Sequence, residues 1–302
     1  MRIVSLLPSA TEIVFALGLG DDLAGVTFEC DFPSDARTKT VVSGTALPTD
    51  PELSAAEIDA TVAATVAAGE SVYTLDAERI RSIGPDLILA QDLCRVCAVP
   101  SGAVEDALSV LGCRAEVVSL DPATLDEVID CVGVVGAAIG ARRRASEAMA
   151  DLRARVECVR DAVAARARPN VLALEWSDPP FSGGHWVPDM ISAAGGDPLL
   201  ATSGQRSQRL SWDAVAAVDA DVVVFMPCGY DLEATLRERG ALLGEPALDG
   251  VPVVWAVNGT AYFSRPGPRV VDGVELLAWM LHPDAGIAPP ADAAVRLRPP
   301  SR

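Results

Sequence analysis

Arg2-Ile3-Val4-Ser5-Leu6-Leu7-Pro8-Ser9-Ala10-Thr11-Glu12-Ile13-Val14-Phe15-Ala16-Leu17-Gly18 opens the chain. The apolar run from Arg2 to Leu7 reads as a strand that stops at Pro8. A Ser/Thr cluster with Glu12 three residues after Ser9 has the spacing of a capping box and leads into an apolar helix from Ser9 to Leu17. A strand handing its carboxyl end to a capped helix is the unit of open α/β folds, and ligands gather at that edge. Pro8, Ser9 and Thr11 are therefore expected at a ligand-facing edge. The segment has one arginine and no small-residue cleavage site behind its apolar run, so it does not read as a signal peptide.

The same unit recurs outward along the chain. Strands are expected at Leu23 to Thr27, Leu87 to Ala90 and Ala115 to Val118, and helices over residues 53–68 and 102–111. Asp76-Ala77-Glu78-Arg79-Ile80-Arg81-Ser82-Ile83-Gly84-Pro85-Asp86 runs into Leu87-Ile88-Leu89-Ala90, and Ser211-Trp212-Asp213 through Ala220-Asp221 runs into Val222-Val223-Val224-Phe225. Each is a short helix with an acid near its start, a turn ending in Asp, and a four-residue aliphatic strand. Residues 124–167 hold no proline and read as a long helix, with a break expected near Gly133 to Gly140. The expected organisation is α/β: a first Rossmann-like lobe over residues 1–122, a linking long helix over 123–168, and a second lobe over 169–282. A proline- and alanine-rich tail with little structure of its own follows over 283–302. A ligand cleft between the lobes completes this reading.

Forty-two acidic against 24 basic residues give a formal charge of -18, which repels phosphate backbones and disfavours nucleic acid as a partner. No apolar stretch is long enough to span a membrane. Seven cysteines, an odd number outside any disulfide-rich module, fit a reducing compartment. A cytoplasmic monomer is expected; a periplasmic or extracellular place would require that a leader had been removed.

Four of those cysteines follow expected strands: Cys30, the pair Cys94 and Cys97, and Cys228. Such thiols can hold a soft metal or an iron–sulfur cluster, can form a redox pair, or can be small semi-buried hydrophobes. Pro179-Pro180-Phe181-Ser182-Gly183-Gly184-His185-Trp186 follows the first strand of the second lobe. Phe181 and Trp186 offer flat apolar area, with His185 as a donor or axial contact; a packed loop with a surface histidine is the alternative. In the loop from Asn258 to Arg269, Tyr262 and Phe263 can contact a large flat ligand and Arg265 can meet its amide or phosphate oxygens. A Gly-rich phosphate loop, a zinc-protease helix and a nucleophile elbow are missing from the sequence, so no catalytic residue is assigned and an enzyme is the minority reading.

With these residues in hand, the chain resembles the helical-backbone class (class III) of periplasmic-type substrate-binding proteins, and within it the cobalamin (vitamin B12) branch, as a leaderless subgroup. The resemblance rests on Ser5 to Glu12, on Glu78-Arg79-Ile80 before Pro85-Asp86-Leu87-Ile88, on Pro179-Pro180-Phe181 and on the Tyr262 to Arg269 loop. It implies a corrinoid held flat, without covalent attachment, against Phe181 and Trp186, with Tyr262, Phe263 and Arg265 closing over it. The aromatic positions of the branch's first lobe are replaced here by Cys30-Asp31-Phe32 and Gln91-Asp92-Leu93-Cys94, where Phe32 and Asp92 are the expected contacts. Glu78 and Asp213 correspond to the acids that dock an ABC transporter permease. An iron siderophore or haem is the other ligand expected for this class.

Overall fold

The computed structural model describes residues 1–48, 53–92, 102, 114–291 and 293–298. The chain divides into two compact units. The first comprises Met1–Pro122 with Ile129–Ala150, and the second Ala123–Val128 with Asp151–Arg302.

The first unit is built on a five-stranded parallel sheet in the order β3-β2-β1-β6-β7. Its strands are β1 (Ile3–Ser5), β2 (Leu23–Val26), β3 (Thr40–Val41), β6 (Leu87–Ala90) and β7 (Glu116–Ser119), while β4 (Ser43–Thr45) and β5 (Tyr73–Leu75) form a separate antiparallel ribbon. All four residues of β6 are buried, as a strand covered on both faces by helices requires. Val4, Leu6, Val42, Ile80, Ile88 and Ala90 form the core beneath it.

In the second unit β10 (Asp197–Pro198), β8 (Asn170–Ser177), β11 (Val222–Phe225) and β12 (Val253–Val257) are parallel. The expected unstructured tail instead supplies β13 (Ala294–Arg298), which pairs antiparallel with β12 at the sheet's edge. Its side chains add little to the core, which is why composition alone did not reveal it; Arg296 lies 5.5 Å over the Trp255 ring and Arg298 donates to the Leu248 carbonyl. Leu172, Leu174, Val223, Phe225 and Val254 are packed together at the centre.

The repeated sequence unit makes the same contact in both units. Asp86 Oδ2 accepts the Arg2 backbone N–H at 2.7 Å, and Asp221 Oδ2 accepts that of Asn170 at 2.7 Å. The helices before these turns are capped alike, by Asp76 on the Arg79 N–H and by Ser211 on the Ala214 N–H. Each clasp sits one residue ahead of the paired positions Ile3↔Leu87 and Val171↔Val222.

The long helix is two helices, Leu125–Ala138 and Arg142–Val163. Gly140, at φ 72°, ends the first one, and the Ala141 N–H reaches back to the Gly136 carbonyl at 2.7 Å, a Schellman closure. The break thus falls at the end of the glycine-containing stretch. The second helix is continuous across the boundary at Ala150, and from it Arg155 bonds Glu275 at 2.7 and 2.9 Å and Asp272 at 2.5 Å.

Asp221→Ala removes the clasp of the second unit and leaves the Asn170 N–H to water; a destabilisation of about 1 kcal/mol is expected, read as a lower urea midpoint at an unchanged slope.

Candidate functional site

Ligand chemistry in parallel α/β units belongs at the carboxyl ends of the strands. In the second unit those ends carry Trp176 on β8, Met226 to Tyr230 after β11, and Asn258 to Tyr262 after β12. Trp176 meets Tyr230 edge-on, with ring centroids 5.4 Å apart. The chain then turns back at residues 178–179 into β9 (Pro180–Ser182), which pairs antiparallel with β8 and sets Phe181 opposite Trp176. Opposed residues of an antiparallel pair share a face, so Trp176 and Phe181 lie side by side. Trp176, Phe181, Tyr230 and Tyr262 are all half-buried. Burial raises the Tyr230 and Tyr262 hydroxyls above the ordinary tyrosine value, so both stay neutral donors.

The return of β9 relocates the other residues expected beside Phe181. Ser182 lies opposite Leu174 and the Gly183 N–H bonds the Ala173 carbonyl at 3.0 Å, so the chain is already running back from the edge when it reaches His185 and Trp186. Trp186 is 5% exposed, and its Nε1–H donates to the Phe263 carbonyl at 2.8 Å. Phe263 is itself 2% exposed. These two aromatics, expected against a ligand, are core residues holding the Asn258–Arg269 loop to the Pro179–Trp186 loop. Tyr262 and Arg265 remain half-buried at the surface of that loop.

In the first unit Pro8, Ser9 and Thr11 follow the carboxyl end of β1 in the helix Pro8–Ala16, and all three are buried. The N-cap falls two residues earlier than the capping box implied: Leu7 is the N-cap, Pro8 occupies the first turn, and no side chain caps the helix. Thr11 Oγ1 meets the Cys30 thiol at 3.0 Å, and Cys30 is 4% exposed, turned inward rather than lining an opening. Outward instead stand Phe28 and Phe32, 42% and 46% exposed after β2. Phe28 is 6.2 Å from the Tyr73 ring, whose hydroxyl donates to Glu29 at 3.3 Å. Asp92 is exposed after β6, its N–H bonded to Asp121 and its carboxylate reached by the Ser119 hydroxyl at 3.1 Å.

Cys228 is exposed after β11, while Cys94 and Cys97 lie outside the described residues. Among the described residues no group of three His, Cys, Asp or Glu side chains is placed to hold a metal ion. Glu78 and Asp213 are exposed in the first turns of the helices Ala77–Ile83 and Trp212–Ala216. A cavity of 550 Å3 in the second unit, lined by Asp126, Arg160, Arg168 and Asp189, lies near the amino end of β10, where Arg168 bonds Asp197.

Sequence reading passed over Trp176, Tyr230, Phe28 and Tyr73. Position after, or at the end of, a strand was the available signal for the first three; Tyr73 reaches Phe28 only through the ribbon pairing.

Two parallel α/β units, each with aromatic side chains open at the carboxyl edge of its sheet, define a substrate-binding protein. The chain belongs to the periplasmic binding protein family, which it matches over residues 3–254. It is 26% identical over 282 residues to the vitamin B12-binding protein of Vibrio cholerae, covering 91% of this chain and 86% of that one. A cobalamin-binding protein of Halobacterium salinarum is 26% identical over 93% of this chain and 69% of its own length. The crystal structure of the periplasmic vitamin B12 binding protein of Vibrio cholerae matches with a TM-score of 0.65 at 25% identity, covering 93% of this chain and 96% of that one. A periplasmic haem-binding protein from Pseudomonas aeruginosa matches in fold, with a TM-score of 0.70 at 22% identity, over 100% of this chain and 98% of its own.

Trp186→Phe keeps an aromatic ring but deletes the five-membered ring of the indole and its buried hydrogen bond to Phe263; a loss of about 1–3 kcal/mol of unfolding free energy is expected by chemical denaturation.

Proposed function

We propose that this substrate-binding protein takes a corrinoid, and cobalamin in particular. The observation that carries the reading is the aromatic wall of the second unit, where Phe181 is set opposite Trp176 and Trp176 is braced edge-on by Tyr230. A wide, rigid ring with an apolar face gains most from such a surface, because it covers large area without ordering flexible groups. Tyr262 and Arg265, half-buried on the neighbouring loop, supply neutral and charged donors for peripheral amides and a phosphate. Phe28, Phe32 and Asp92 offer apolar and acceptor groups on the first unit. The two relatives whose names specify vitamin B12 or cobalamin support the same choice. Glu78 and Asp213, one exposed acid on each unit, are proposed to meet basic residues of a membrane permease.

Calorimetric titration with cyanocobalamin tests the reading. Saturable one-to-one binding is expected, and no binding up to millimolar ligand overturns it; haemin or a ferric siderophore bound in its place would move the ligand class. Trp176→Ala, which strips the wall of its largest face and of the Tyr230 contact, is expected to weaken cobalamin binding about tenfold, corresponding to roughly 1.4 kcal/mol.

A further inference from the structure

The arm that carries Phe181 is held by a seam of backbone pairing. Along it, the Leu210 N–H bonds the Pro180 carbonyl at 2.7 Å, Ser182 bonds Gln208 at 2.9 Å, His185 bonds Gln205 at 2.5 Å, and the Gly204 N–H returns to the His185 carbonyl at 3.0 Å. The seam is tight: a Cβ on Gly184 would lie 2.1 Å from the Ser207 nitrogen, so only glycine fits there. Glu175 of β8 closes it from one side, with one carboxylate oxygen on the Gly184 N–H at 3.1 Å and the other on the Ser207 hydroxyl.

His185 stands at the end of this seam with φ 53°, in the left-handed region that costs a non-glycine residue about 1 kcal/mol or more. Its ring lies 5.6 Å from that of Trp186. Its Nε2 is buried and has no hydrogen-bond partner among the described residues. The protonated ring carries an N–H at Nε2 and a positive charge where no acceptor waits. The charged groups on the flanking elements give no relief. Arg206 on the facing segment repels the cation. Glu175 already serves Gly184 and Ser207, Asp189 in the next helical turn accepts the Leu125 N–H at 3.0 Å, and Arg209 pairs across from Phe181.

We propose that His185 is a positioning residue for the Phe181 arm that releases the arm in acid: the neutral ring completes the packed seam between residues 180–185 and 204–210, and the protonated ring is accommodated only when that seam opens. Burial first, and Arg206 second, hold the imidazole below the ordinary histidine value. A native value depressed below the open-state value gives a seam fully stable above about pH 6.5 and weakened as pH falls below it. The seam then works as an acid-sensitive support for the aromatic wall. That consequence for a ligand rests on the function proposed above, whereas opening of the seam does not.

Amide hydrogen exchange of the ligand-free protein between pH 7.5 and 5, corrected for intrinsic rates, tests it. Protection of the Ser182, His185, Gly204 and Gln208 amides is expected to fall by up to about tenfold per pH unit just below the ordinary histidine value, while the β11 amides stay protected. His185→Asn tolerates the left-handed backbone and cannot titrate in this range, so its seam should keep one level of protection throughout. Arg206→Gln removes the repulsion and brings the native value closer to the ordinary one, so the acid loss of protection should level off at a higher pH and be smaller in total, which a purely structural role for His185 would not produce; it also keeps the test alive if the Asn variant fails to fold. Constant protection in the unmodified protein, or an undiminished pH response in His185→Asn, overturns the proposal.

Discussion

Everything at the carboxyl edges depends on a carboxylate at the opposite end of each sheet. Asp86 and Asp221 each accept a backbone N–H at the start of a central strand, that of Arg2 just before β1 and that of Asn170 at the head of β8, and each returns its own N–H to that residue's carbonyl. The two contacts lock the start of β1 to β6 and of β8 to β11. With these four strands only three to eight residues long, there is little ladder to correct a slip, and a one-residue slip would turn every side chain to the wrong face. The backbone hydrogen bond from Arg2 holds the Asp86 carboxyl below its ordinary range, so the grip persists through neutral pH and weakens only in acid. From that fixed start, Ala90 and Phe225 end their strands at defined heights, and the loops that follow inherit their positions.

Given equal frames, the two units differ in what they present. The first offers exposed phenylalanines beside a tyrosine–glutamate pair and a carboxylate, while its thiol and small hydroxyls are folded inward. The second has β9, an added antiparallel arm with no counterpart in the first sheet among the described residues. Its return places a second aromatic beside Trp176, and the Glu175 carboxylate fastens it from the neighbouring strand position. The aromatic wall is thus a consequence of main-chain pairing as much as of residue choice.

The fold could be read from sequence where it rested on patterns that physics makes local. Four consecutive aliphatic residues after a turn ending in Asp mark a buried parallel strand, and both instances fold that way. The site was less legible because its geometry depends on pairings with no period to announce them. Ser9 and Glu12 have capping spacing, yet Pro8 suits the first turn better and starts the helix early, which sinks Ser9 and Thr11 into the core. His185 and Trp186 follow a strand, but a three-residue arm between them and the edge reverses the chain. Trp176 stands at the end of its strand rather than in the loop after it, and β13 was hidden by a sequence rich in proline and charge.

Trp186 and Trp176 show what separates a core aromatic from a wall aromatic in such loops. A buried indole is stabilised when its N–H reaches an acceptor, and Trp186 finds one in the Phe263 carbonyl, a group fixed by the turn that Asn258 caps. That bond orients two loops at once, which is a structural role a ligand could not fill in its absence. Along the same loop the alternation is immediate: Phe263 is buried, while its neighbour Tyr262 keeps a half-open ring whose hydroxyl burial holds neutral. Trp186 and Phe263 are committed to that bond and to the core, whereas Trp176, Phe181 and Tyr262 keep half-open rings.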